Sequence, residues 1–430
     1  MLQFKEREMK FNSKRAFALA LVLATPVTAF ATNGMFMIGY GVKSVGMGGV
    51  AIAAPFDSLA GATNPAAIAE VGTRFDLEAT LFKFNVDASL GGINTKSRFN
   101  TFLMPGLGFS MPVDNETTFG FSMVGAGGGG SHYKQNLYKL SLSPGADFGD
   151  LGVELMIMQM NPTMAQKLTP NQMVGVSVVM GLQRFKAFGL SNFETFTTTQ
   201  TSNSPYTDRG VEYSRGLGVR LGWLGKFLGN KINLGAAMTT KTYMSKFQNY
   251  SELFAEGGDI DTPANIGAGI AWKPTPKLTA AMDVTRTYYS KVRAIANRGP
   301  NTSGEPYPEG RSTNSLGRDG GLGFGWKDQT VYKVGVNYEY NSKWTWRAGW
   351  NYGRSPIDES REIIFNIVAP ATTQHHATLG TTYKINREME TSFAYMHAFA
   401  NQQSGPTYIS SPGVIRMSQD SLGASFSFAF

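Results

Sequence analysis

The 430-residue chain has no cysteine, which excludes disulfides, thiolate metal centres and a cysteine nucleophile. Long hydrophobic runs are also missing. The apolar stretch AFALALVLA at 16–24 is far short of the roughly 20 residues a membrane helix needs, and nothing after it comes closer. If a membrane holds this chain, helices do not. Charge is scarce: 39 Lys+Arg against 31 Asp+Glu give +8, and removing Lys5, Arg7, Lys10, Lys14, Arg15, Glu6 and Glu8 leaves 34 − 29, or +5. The remaining charges are scattered, without the clustered basic stripe of a nucleic-acid binder. There are four histidines, and His375 and His376, as neighbours on a strand, face opposite sides instead of forming a metal pair. Neither Gly-x-Ser-x-Gly nor GxxxxGK[ST] occurs. The expectation is a chain without catalytic residues, metal or cofactor.

What is present begins with a secretory pattern. Lys10, Lys14 and Arg15 precede the short apolar run, and Ala29-Phe30-Ala31 follows it, which places a signal peptide at 1–31. Beyond residue 73 the periodicity is two. Tyr332, Val334, Val336, Tyr338 and Tyr340 alternate with Lys333, Gly335, Asn337 and Glu339, and the final segment sets Leu422, Ala424, Phe426, Phe428 and Phe430 against Gly423, Ser425, Ser427 and Ala429. Such strands send one set outward and the other inward. Aromatics on one face and small or polar residues on the other reverse the pattern of a soluble barrel.

The pattern predicts strands at about 74–88, 99–112, 116–127, 151–168, 171–188, 211–227, 231–247, 264–274, 277–292, 329–341, 343–354, 374–385, 388–399 and 418–430. That is about fourteen, an even number. Every second connection is a few residues long; the others, such as 128–150, 189–210 and 293–328, are long and polar. Short turns at one end and long loops at the other are the pattern of bacterial outer-membrane barrels. The predicted fold is all-β, a transmembrane antiparallel barrel over 74–430. A secreted β-sandwich would not end in an aromatic ladder, and a solenoid would show a fixed-period repeat.

Residues 32–73 are Gly- and Ala-rich and lack alternation. Short helical turns are expected at 57–60 and 65–69, with Asn64 as cap and Pro65 in the first turn. A fourteen-stranded barrel leaves a pore unless something fills it, so this segment is expected to plug the lumen. Here the chain resembles a known family, the long-chain fatty-acid transporters of the outer membrane (FadL-like, including uptake channels for aromatic hydrocarbons). The resemblance rests on Asn64-Pro65-Ala66, WKDQTVYKVGVNYEYNSKWTWRAGWNYGRSPI at 326–357, LGTTYKIN at 379–386, Tyr395-Met396-His397 and the terminal FSFAF. It implies an N-terminal hatch in a fourteen-stranded barrel of the Gram-negative outer membrane.

Three candidate features follow. In 151–168, Met156, Met158, Met160 and Met164 share one face, either a repackable lumenal lining or a lipid-facing surface. The run Gly125-Ala126-Gly127-Gly128-Gly129-Gly130 suits a break in the strand ladder, and the resemblance implies a kink there that opens a sideways gap, with Gly125 and Gly127 its carriers. A bound carboxylate would need a lumenal cation, and the resemblance puts Arg184 and Lys327 at positions like those that bind it. The expected activity is passive, ligand-gated uptake of hydrophobic molecules, foremost long-chain fatty acids. The alternatives are an aromatic or alkane channel, an outer-membrane lipid hydrolase and a general porin. Expected partners are the apolar substrate, outer-membrane lipid and lipopolysaccharide, and the barrel-assembly machinery through the last strand, with no nucleic acid.

Overall fold

In the computed structural model the described residues are 33–98, 100–140, 149–200, 203–300, 315–407 and 411–430; the expected signal peptide lies outside them. The chain forms β1 (Arg74–Leu90), β2 (Ile93–Lys96), β3 (Thr101–Pro112), β4 (Thr117–Tyr133), β5 (Leu151–Thr169), β6 (Gln172–Phe188), β7 (Glu212–Phe227) and β8 (Ile232–Thr239). Then come β9 (Tyr243–Met244), β10 (Asn265–Thr275), β11 (Leu278–Thr287), β12 (Gln329–Glu339), β13 (Trp344–Gly353), β14 (His375–Lys384), β15 (Met389–Gly405) and β16 (Gly413–Ala429). β2 only extends β1 and β9 only pairs with β7, so fourteen of the sixteen strands form the wall. All pair antiparallel with their sequence neighbours, and β16 closes on β1 from Arg74↔Ala429 to Leu90↔Gly413.

The hydrophobic pattern sets the register. Leu77, Leu81, Leu103, Phe119, Val178, Leu221, Trp346 and Leu422 are exposed on the outside, whereas their sequence neighbours Asp76, Phe82, Ser177, Arg220 and Ser421 are buried inside. Pairing of β16 with β1 leaves no free terminal strand in the sheet. Side chains make the short turns: Asp114, Asn341 and Asn386 each accept two backbone N–H groups from residues two and three positions on, an Asx geometry suited to tight reversals.

Residues 33–73 contribute no wall strand and run through the lumen, with 3₁₀ turns at Ser58–Ala62 and Pro65–Glu70. Wall side chains seize the backbone of this hatch. Asp283 Oδ2 accepts the N–H groups of Ala51 (2.8 Å) and Ile52 (3.0 Å), Glu78 accepts that of Val42 (2.7 Å), and Asp76 accepts both the N–H (2.9 Å) and the hydroxyl of Ser58. Lys43 pairs with Glu390, which also meets Arg74 at 3.1 Å. Inward glycines admit the hatch backbone: a Cβ on Gly349 would lie 2.2 Å from Gly48 N.

Two predicted strands are shorter than expected. The 231–247 segment leaves the wall after Thr239, returns as β9 against β7, and carries Thr242 to a bridge with Thr262. Gly216 permits this, since a Cβ there would sit 2.1 Å from Tyr243 O. The 277–292 segment stops at Thr287, and a 3₁₀ turn at Tyr289–Lys291 brings Tyr289 inward.

Candidate functional site

The third wall strand, β4, carries the irregularity. It pairs with β3 only from Gly106↔Val124 downward to Pro112↔Thr118. On its other side, pairing with β5 jumps between Gly125 and Gly127, so Ala126 is an extra residue and the facing of the strand reverses. Val124 points inward before the bulge; after it Ser131 and Tyr133 do, bonding the carbonyls of Val368 and Ile367. Pairing resumes toward the loops through Arg98 N to His132 O and the Ser97–Tyr133 bridge. Between these limits the wall has a window. Gly128 and Gly130 stand at φ +148° and +151°, conformations open almost only to glycine.

The window is not empty. Residues 35–37 of the hatch lie in it as a surrogate strand: Met37 N donates to Ala126 O (3.2 Å), Gly128 N donates to Met35 O (2.9 Å), and Phe36 bridges Gly127. A Cβ on Gly127 would sit 1.9 Å from Met35 O, so only glycine permits this approach. At Gly125 a Cβ would meet only the flexible end of Met104.

Two adjoining apolar cavities lie inside, and one of them reaches this place. One, of about 40 Å³, lies under the long connections, among Tyr138, Leu190, Phe193, Leu316, Phe365 and Val368. The other, of about 50 Å³, is walled by Met35, Gly128, Gly129, Leu155, Ile295 and Trp326. They share Val153, Phe185, Phe254 and Phe324. No described residue lining either one is charged. Tyr289, fully buried beside the second cavity, is held by burial above its ordinary pKa and remains a hydroxyl.

The sequence-predicted site is only partly assembled. Arg184 follows exposed Leu182 on the outer face of β6, and pairs there with Glu154 at 2.9 Å; its inward neighbours are Gln183 and Phe185. Lys327 is well exposed ahead of β12 and pairs with Asp358 at 2.7 Å. Neither lines a cavity, and they are not brought together as a carboxylate clamp. Met156, Met158 and Met160 also lie on the outer face, with exposed Met164; Gln159, Asn161 and Thr163 take the inner one, two of them held by Arg220. The lumenal-lining alternative for these methionines does not match this placement. Asn64, Pro65 and Ala66 sit in the hatch, with Asn64 capping the turn through Ala66 N at 3.1 Å. Phe185, Phe254, Phe324 and Trp326, which line the cavities, carried no sequence signal beyond aromatics in or beside long connections.

Similar proteins share this arrangement of chain. The Pseudomonas putida toluene transporter TodX superposes with a TM-score of 0.70 at 19% identity, covering 91% of this chain and 99% of that one. A Pseudomonas aeruginosa FadL homologue gives 0.65 at 15% identity over 92% and 100%, and the Ralstonia pickettii toluene transporter TbuX 0.61 at 19% over 91% and 99%. Among curated proteins there is no match. The family described as outer membrane protein transport protein (OMPP1/FadL/TodX) matches residues 21–409. This chain therefore belongs to that family, whose members are outer-membrane β-barrel channels for hydrophobic compounds.

Proposed function

We propose that this channel takes up uncharged hydrophobic molecules, aromatic or alkyl hydrocarbons, and releases them sideways through the β3–β4 window. The carrying observation is a pair of adjoining apolar cavities, free of charged lining among the described residues, of which one reaches Gly128 and Gly129. A carboxylate there would lie buried without a cation, at a cost of several kcal/mol or in neutralised form. Arg184 and Lys327 already have acidic partners elsewhere. Leaving through the periplasmic mouth would put the solute into water at about 0.8 kcal/mol per CH₂; leaving through the window puts it into lipid. TodX and TbuX carry toluene by their descriptions, which supports the same substrate class here.

The test is uptake into cells lacking competing channels, with labelled toluene, dodecane and laurate compared. Accumulation of the neutral compounds, together with quenching of Trp326 fluorescence that a Trp326→Phe control lacks, is expected. Uptake of laurate alone would overturn the uncharged-substrate reading. Release of fatty acid from phospholipid by the purified protein would favour the hydrolase alternative.

A further inference from the structure

The geometry points to Tyr289 as the positioning residue that couples the cavity to the window, an inference that rests on the lateral-exit reading. The residue is fully buried, and one hydroxyl serves two hatch groups: it accepts the N–H of Met35 at 3.1 Å and donates to Asn33 O at 3.1 Å. Those residues belong to a tight hairpin turn in which Asn33 and Phe36 exchange backbone bonds of 2.9 and 3.1 Å across Gly34, at φ +61°. Tyr289 therefore closes the mouth of the turn whose far side fills the window.

The ring makes the second link. It stacks on Phe36 at 6.4 Å between centroids, and Phe36 is the bridge partner of Gly127. Its other contact is edge-on with Trp326, at 5.2 Å and 88°. Trp326 lines the inner cavity and is pinned by its own indole N–H to Asn366 Oδ1 at 2.6 Å. A hydrocarbon entering the cavity competes for the face of Trp326, and a shift of that indole is passed to Tyr289 through their edge-on contact. Binding can bias the window only if it interacts differently with the plugged and released states, and this ring supplies the contact through which it does. Without the hydroxyl, the buried N–H of Met35 loses its partner and Asn33 O keeps only the N–H of Phe36, while ring packing is untouched.

Hydrogen exchange of the full-length barrel in lipid nanodiscs tests this without requiring transport. Tyr289→Phe is expected to speed exchange at the Met35, Met37 and Gly128 amides roughly tenfold, the effect of losing about one buried hydrogen bond. The Ala51 and Ile52 amides, held independently by Asp283, should not change. Gly34→Ala, whose Cβ would lie 2.2 Å from the same hydroxyl, should give the same local pattern. Toluene should speed exchange at those three amides in the wild type and add little in Tyr289→Phe. Unchanged exchange in both variants, or an equal rise at Ala51 and Ile52, would overturn the positioning role. Toluene that binds, as read by Trp326 quenching, yet leaves wild-type exchange unaltered would overturn the coupling. Failure of lateral exit itself would appear separately, as uptake that persists at the wild-type rate when the strip is cross-linked into the window.

Discussion

The side chain of Asn64 donates to the carbonyl of Trp223, 159 residues further along the chain, at 2.9 Å. Its other N–H goes to Ile52 O (2.7 Å) and its oxygen accepts from Ala66 N (3.1 Å), so a single buried carboxamide joins two hatch segments to the wall. Asn64→Leu keeps the volume and removes all three of these hydrogen bonds, each worth about 0.5–1.5 kcal/mol. The barrel should still assemble, since its wall ladders do not depend on this residue. The variant is expected to show fluctuating ion conductance in planar bilayers where the wild type is quiet; a quiet variant would mean that this tether does not hold the hatch.

Gly125 and Gly127 should behave differently despite their spacing of two. Gly127→Ala must expel the strip, because its Cβ would fall 1.9 Å from Met35 O, whereas Gly125→Ala only moves the end of Met104. The bulky replacement that a glycine run alone suggests as a way of closing the wall should here unplug it. Gly127→Ala is expected to raise conductance and substrate-independent leak, and Gly125→Ala to leave both unchanged. Equal behaviour of the two would show that the strip does not depend on this close approach.

The cations that the family resemblance singled out give a third expectation. Because Arg184 and Glu154 pair on the outer face with both side chains largely buried, removing one would leave the other charge buried without its partner, so the informative variant is Glu154→Gln with Arg184→Gln. Combined with Lys327→Gln, it should keep neutral-hydrocarbon uptake within about twofold of the wild type, as expected for paired charges away from the path. A selective loss of uptake, with normal folding and surface expression, would return these cations to the site.

The wall was legible because lipid outside and a polar lumen inside give an alternation that survives strand by strand: β5, β6, β10 and β14 begin within a residue of where the periodicity puts them. The site was not, because that alternation inverts near the loops. On β6, Val178, Met180 and Leu182 face lipid, but two residues on the same face becomes Arg184, while the inward face changes from Ser177 to Phe185. Polarity there follows the membrane boundary outside and the apolar path inside, so Arg184, which the resemblance offered as a lumenal cation, lies on the outer face. The methionines of β5 mislead the other way, as greasy residues that sit outside throughout. The register shift falls in the Gly-rich run, between Gly125 and Gly127, but the positive-φ positions are Gly128 and Gly130, and no spacing rule reveals that residues 35–37 lie beside them.

The last expectation concerns pH and the hatch carboxylate Asp57. Burial, and after it the nearby Asp76, push its pKa up from 3.8 to about 6, against the opposing pull of Lys43 and Arg74 and the N–H of Leu59, which its Oδ1 accepts at 3.1 Å. Glu78 also faces this group, and its carboxyl accepts the N–H of Val42. A carboxyl raised in the docked hatch binds its proton more tightly docked than released. Docking is therefore strongest where the group is protonated in the hatch, and is lost progressively as pH rises from about 4 through about 6. Between pH 5 and pH 7.5 the opening equilibrium should grow roughly tenfold, taking the released group at its ordinary value. The measurement is exchange of the Leu59 amide, corrected for the intrinsic pH dependence of exchange, in the wild type and in Asp57→Asn, which keeps the accepting oxygen but cannot ionise. The variant should lose most of the rise seen in the wild type, and an equal rise in both would assign it to another group. A wild-type profile that is flat over this range, or one that tightens toward alkaline pH, would show that Asp57 is not the group that titrates against docking.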